Sequence, residues 1–472
     1  MISMISSDDM SSPRFTFWLP LLGLIVGGVL ISLVSSLSPL LAGLVGYGAL
    51  LGIPFFVRLR YKQLVTLLIL AIVIGPIASL NVIPGSSLQL HLADLVVPIV
   101  AVTYIRNMLS GRSTMNPGNQ HLFFALGVLV LATVPSLLLP YSLSRSAGTL
   151  RYIWFGFLAY ALLLQWKTSE SDLRFAMKLL VAGGGFLGLR YATQALLPRF
   201  FLVRSLDTRL EINFLSASVN YVSLIFVAFV VLALAVAQTT TRIRLRIAAL
   251  VLAGCLAFLA VVTASRVAIL GLAVSLGVYF LQRHNVSRAS HYRLVMVLLV
   301  FLIAMVVFLI SSNPYFQLRY FSTLELLKLR SWDALLSARP GTELDWGDWY
   351  RIRLWMWYME EIPRHLWFGR GLGGVSTPYF GGILMPAHNL VLELLSGVGV
   401  VGTVAYGLLL VWTYRRVRRS PFSRWQAAFA SVARSWFWAI LVASLLHPFM
   451  TTGYQTILLL WVLLALGSAN VS

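Results

Sequence analysis

The chain has 472 residues, of which 59 % are hydrophobic and only 11 % charged, and its mean hydropathy is +0.86. That composition excludes a soluble globular domain or a disordered chain and places the protein among polytopic membrane proteins. The net charge of +21 would suit a nucleic-acid binder, but Arg and Lys are scattered between apolar runs rather than massed on one polar face, which excludes that class.

Most apolar runs are about as long as a helix needs to cross a ~30 Å hydrocarbon core. They are continuous rather than alternating, which predicts helices and not a barrel. In chain order the predicted spans are Phe17–Ser35, Pro39–Val57, Leu64–Ile83, Leu92–Met108, Leu122–Leu139, Gly148–Leu164, Phe175–Thr193, Ser218–Ala237, Ile247–Thr263, Val267–Leu281 and Leu294–Ile310. Asn389–Tyr414, Trp436–Leu446 and Thr456–Leu466 follow a long polar stretch. The N-terminal MISMISSDDMSSPR lacks a small-residue cleavage site, so Phe17 onward reads as a retained span. Cys255, the single cysteine, sits inside an apolar run and forms no intrachain disulfide. The expected fold is all-α, a bundle of 12–14 transmembrane helices in a single membrane domain over 1–472.

Basic clusters recur in every second connection: Arg58, Arg60 and Lys62; Arg106 and Arg112; Lys167 and Arg174; Arg242, Arg244 and Arg246; Arg283, Arg288 and Arg293; Arg415, Arg416, Arg418, Arg419 and Arg424. The positive-inside rule puts these connections, and both termini, in the cytoplasm. The polar stretch 314–387 then lies outside. It holds seven of the fifteen acids against eight bases, interleaved with Trp and Tyr, a mixture that reads as a folded cap with short helices rather than a linker. Its WYRIRLWMWYMEEI segment is too apolar for a solvated helix and should lie on the membrane surface or on the bundle.

Candidate chemistry gathers around that loop. Arg266 follows TAS at the outer end of a tight hairpin, where the charge rule disfavours a cation; the competing reading is an arginine reaching the headgroups. Arg351 and Arg353 precede Trp355 and Trp357. Guanidinium groups match phosphate oxygens with paired hydrogen bonds, so a diphosphate is a fitting ligand; the alternative is a salt bridge within the loop. His388, beside Asn389, stands at the mouth of the next span, where an imidazole can take a proton from a hydroxyl or serve as a structural cap. Glu393 lies inside the span and must pair or stay protonated, orienting either an arginine or the histidine. The run from Arg370 to Gly374, RGLGG, lacks the strand and spacing of a phosphate loop and reads as a turn permitting close backbone approach. Arg145, Arg151, Arg199, Arg204 and Arg209 line an anionic access path or meet headgroups. No Walker lysine, HExxH, GxSxG or paired-His metal spacing occurs, so no metal or cofactor is expected.

TASR from Thr263, R-x-x-x-W from Arg351, PRHLWFGRGLGG from Pro363 and HNLVLELLSGVGVVG from His388 occur in that order around one loop. Together they resemble the O-antigen ligase and polymerase superfamily. The resemblance covers the C-terminal half; the N-terminal half matches only as a set of spans. It implies a GT-C-like membrane glycosyltransferase of the bacterial inner membrane, working on the periplasmic face in O-antigen, lipopolysaccharide or exopolysaccharide assembly. The implied donor is an undecaprenyl-diphosphate glycan and the acceptor a glycan or lipid A-core hydroxyl, without metal and with other polysaccharide-assembly proteins as possible partners. By motif, Arg266 and Arg351 would hold the diphosphate and His388 would deprotonate or orient the acceptor, with Arg353, Asn389, Glu393, Arg370 and Arg209 as substrate-binding candidates. LLSGVG stands where an acid often precedes the glycine, so that acid's role does not transfer. Chain length and the developed loop favour polymerase over ligase. The rivals are a transporter or flippase for an anionic solute or lipid-linked glycan, since some members have been described as bicarbonate transport proteins, and a non-enzymatic assembly subunit.

Overall fold

A computed structural model describes residues 60–74, 80–81, 89–110, 121–193, 219–263, 265–282, 346–376, 384–419, 423–447, 449–451 and 453–469, with isolated positions between 300 and 311. The spans expected at Phe17–Ser35 and Pro39–Val57, and most of Leu294–Ile310, lie outside them.

The described helices are α1 (Tyr61–Ile74), α2 (Leu92–Leu109), α3 (His121–Thr133), α4 (Leu143–Leu163), α5 (Glu170–Tyr191), α6 (Val219–Thr239), α7 (Ile243–Val262), α8 (Arg266–Leu281), α9 (Trp346–Glu361), α10 (Leu390–Arg419), α11 (Arg424–Ser444) and α12 (Tyr454–Ser468). Strand in the described residues is confined to two short antiparallel pairs, β1 (Leu80–Asn81) with β2 (Gln89–Leu90) and β3 (Val375–Ser376) with β4 (Leu384–Met385). The protein is an all-α, multi-pass membrane protein: five described helices, α2, α6, α7, α10 and α11, are long and apolar enough to cross a bilayer. The expected span Leu64–Ile83 gives way to β1 at Leu80, and Leu122–Leu139 tightens into a 3₁₀ turn at Val134, where Pro135 cannot donate to an α-helical ladder.

The centre is built from α6, α11 and α12, packed on one another and on α4 and α8. Every residue of α12 is buried, as expected of a helix that is apolar all round. Gly156 of α4 admits the indole of Trp461; a Cβ there would come within 2.4 Å of that ring.

α11 begins at Arg424, twelve residues before the predicted Trp436. Hydropathy underestimates it because Arg434 interrupts the apolar run, yet its Nε donates to Ala430 O at 3.1 Å within the helix. α10 is broken rather than continuous. Gly399 has φ 66°, and a Cβ there would lie 2.3 Å from the Trp367 carbonyl. The loop ahead of β3 crosses the break: Arg370 N donates to Ser396 O and Gly371 N to Gly397 O, each at 2.8 Å, and Val400 N donates to Leu366 O at 2.8 Å. Backbone freed from a helix within a membrane needs partners inside the protein, and this loop supplies them. RGLGG is thus a close-approach turn, with Gly371, Gly373 and Gly374, and Gly369 just ahead of it, all at positive φ.

Candidate functional site

His388 stands just ahead of α10 with φ 53°, the one positive value among described non-glycine residues. This backbone region is sparsely populated for side-chain-bearing residues and stores on the order of 1–3 kcal/mol of strain. Its neighbours impose it. Ala387 N donates to Glu393 Oε2 at 2.7 Å. On the other side Asn389 caps α10, its Oδ1 accepting from Val391 N at 2.9 Å and Leu392 N at 3.1 Å, while its Nδ2 donates to Leu445 O at 3.0 Å.

That last bond joins the start of α10 to the end of α11, and there His447 meets His388. The two Nδ1 atoms are 2.8 Å apart and the rings stack at 4.8 Å between centroids. Burial, with the positive charge of Arg351 adding to it, lowers the His388 imidazole from 6.5 to about 4. The ring is therefore neutral near pH 7, and one neutral imidazole must donate its Nδ1–H to the other.

Arg351 reaches this place from α9. Trp355, four residues on and hence on the same helical face, donates its indole N–H to Ala387 O at 2.7 Å. Arg353, two residues from Arg351, points elsewhere, with its guanidinium carbon 4.5 Å over the Trp349 ring.

Arg266 opens α8, half-buried. The preceding Ser265 caps the helix and donates its hydroxyl to Asn220 Oδ1 at 3.0 Å, and the next residue, Tyr221, sets its ring edge-on against His447 at 5.0 Å. α8 runs antiparallel to α11: Gln282, at the far end, donates to Ser431 O at 3.2 Å and Ser435 Oγ at 3.1 Å. The start of α8 is consequently level with the end of α11. Arg266, Arg351 and His388 thus share one end of the bundle, linked through Ser265, Asn220, Tyr221 and His447.

The remaining candidates sort differently. Glu393 is 1 % exposed, and its carboxylate accepts from Ala387 N, Gly373 N at 3.1 Å and the Tyr358 hydroxyl at 3.2 Å. The single Tyr358 proton is shared with Met385 O, 2.8 Å from the same hydroxyl. Three donors offset the burial of the carboxylate, and they lock α9, the glycine loop and the His388 approach onto α10. Arg370 stacks 4.0 Å over Tyr141 and pairs with Glu361 at 3.6 Å; Tyr141 also donates to Glu361. Arg145 donates to Leu384 O at 3.0 Å, and Arg151 pairs with Asp94 at 3.1 Å. Arg199, Arg204 and Arg209 lie outside the described residues. Among the described residues no group of three His, Cys, Asp or Glu side chains converges as a metal site.

His447 escaped the sequence reading. It follows an ordinary span in LLHPFM, and nothing local ties it to His388, 59 residues earlier. The one available signal was a histidine at the same predicted end of a span.

Comparison with protein families matches residues 248–407 to the family described as O-Antigen ligase. The matched stretch runs from α7 into the second half of α10, and holds Arg266, Arg351, Arg353, Arg370, His388, Asn389 and Glu393. His447 lies beyond it. Comparison with curated proteins gives no match.

Proposed function

Since residues 248–407 match the family described as O-Antigen ligase and the chain is a multi-pass membrane protein, we propose that it transfers a glycan from undecaprenyl diphosphate to an acceptor hydroxyl on the periplasmic face. The observation that carries the reading is the gathering of Arg266, Arg351 and the His388–His447 pair at one end of the bundle.

The roles follow from charge and geometry. The leaving diphosphate gains negative charge as the glycosidic bond breaks, and fixed guanidinium groups stabilise it without reorganisation. The acceptor hydroxyl must lose a proton. If His388 donates its Nδ1–H to His447, its Nε2 is bare and accepts that proton; the reverse tautomer blocks it. His447 then serves as a positioning residue, fixing the tautomer and stabilising the imidazolium that forms. An imidazole held near 4 by burial and by Arg351 is a weak base, and a bound diphosphate offsets the second of these causes and strengthens it. Glu393 organises the backbone around His388 rather than the substrate.

Within this reading we favour polymerase over ligase. Incubating purified protein with an undecaprenyl-diphosphate glycan, with and without lipid A core, separates the two: a ladder of products marks a polymerase and a core-linked band a ligase. Uptake of a labelled anion or lipid-linked glycan into proteoliposomes, with no new glycosidic bond, marks the transporter instead.

A further inference from the structure

At the end of the bundle marked by the basic connections, a cleft of about 830 Å³ opens between α5 and α7, closed at its mouth by the end of α6 and the start of α11. Its lining changes character with depth. Arg174 and Lys178 stand on α5, Arg242 precedes α7 and Arg424 opens α11, against one acid, Glu170. Further along the same helical faces the lining becomes Val181, Ala182 and Gly185 on α5, and Leu245 and Leu252 on α7. Both helices start at this end and run away from it, so the sequence spacing translates into a gradient from cationic mouth to apolar floor. From Arg174 to Gly185 the rise is about 16 Å at 1.5 Å per residue, close to half of a ~30 Å hydrocarbon core.

The mouth is itself ordered. Arg424 donates to Gln238 O at 3.3 Å, and the Arg174 guanidinium carbon lies 5.5 Å from the Trp425 ring, which is buried. Arg174, Lys178, Ala182 and Leu245 are exposed, so the cleft faces the surroundings of the bundle and not its core. A molecule that suits this gradient carries a compact negative group on one or two alkyl chains.

We propose that the cleft is a binding site for one anionic phospholipid of the leaflet on the side of the basic connections, its phosphate between Arg174, Arg242 and Arg424 and an acyl chain along Val181 and Leu252. Basic pockets between transmembrane helices on this side are the setting in which anionic headgroups are held. The site lies at the opposite end of the bundle from His388, sharing α6 and α11 with it but none of its residues, so it stands whether or not the transfer chemistry proposed above is right.

The test is native mass spectrometry of the delipidated full-length protein titrated with phosphatidylglycerol or phosphatidylcholine. The expected result is one tightly held phosphatidylglycerol and no comparable phosphatidylcholine. At about one kcal/mol per removed base, Arg174→Gln with Arg242→Gln lowers phosphatidylglycerol affinity by about tenfold or more. Ala182→Trp, which fills the apolar half and leaves every charge in place, also displaces the lipid. Inorganic phosphate at millimolar concentration does not compete, because it lacks the chain. Thermal unfolding of each variant in detergent, matched to the wild type, excludes misfolding. Equal retention of the two lipids by the wild type overturns the proposal, as does unchanged phosphatidylglycerol binding in the charge variant or competition by inorganic phosphate.

Discussion

His388 and His447 share a single hydrogen bond between their Nδ1 atoms, 2.8 Å apart, across the junction of α10 and α11. The pair is asymmetric by necessity, and its chemistry depends on which ring donates. His447→Ala is expected to lower kcat by about tenfold or more while KM for the lipid donor changes little, since general-base efficiency falls when the base is misoriented. His447→Asn, whose side-chain oxygen can accept from His388, should recover part of the loss. Equal kcat in the Ala and Asn variants, both folded, would assign His447 a packing role only.

Arg351→Lys should lose about 10²-fold in transfer, because an ammonium cannot reproduce the paired hydrogen bonds of a guanidinium to a diphosphate. Arg353, stacked on Trp349 and turned away from His388, should tolerate Lys better. Steady-state rates of the two variants, measured side by side, check the assignment; a larger loss at Arg353 than at Arg351 reverses it.

Glu393→Gln keeps the shape of the side chain but replaces an acceptor oxygen with a donor NH₂, and that group must face Ala387 N, Gly373 N or the Tyr358 hydroxyl. The expected cost is about 1–3 kcal/mol of stability for a buried unsatisfied pair, read as a lower unfolding temperature in detergent. A variant as stable as the wild type removes the locking role.

The His388 imidazole is held near 4, below its ordinary 6.5. Between those values the unfolded chain binds a proton that the folded chain refuses, so stability contributed by this residue is present above about pH 6.5 and is lost as pH falls toward 4. His388→Gln removes that dependence. Unfolding temperatures at pH 7.5 and pH 5 should therefore fall less with acid in the variant than in the wild type; parallel declines contradict the assignment.

The helical architecture was legible because membrane spans are written as continuous apolar runs, and Leu92–Met108 or Val267–Leu281 differ from the observed helices by a residue. Charges inside spans obscured it: α11 reaches back to Arg424 because Arg434 satisfies itself along its own helix. The break at Gly399 was hidden, since LLSGVGVVG reads as one apolar helix until the loop that replaces its lost hydrogen bonds is seen. Arg266, Arg351 and His388 stood out as polar groups at places where the membrane makes them costly. His447 did not, because its partner is distant in sequence, and the bonds of Glu393 go largely to backbone groups that leave no trace in residue identity.

In the proposed reaction His388 takes the acceptor's proton beside a lipid diphosphate held by Arg266 and Arg351. The most direct test is the single-turnover rate of His388→Ala, purified in nanodiscs with undecaprenyl-diphosphate glycan and acceptor, alongside donor affinity. The rate should fall by about 10²- to 10⁴-fold with donor binding retained. Transfer at the wild-type rate by a folded His388→Ala protein would contradict it.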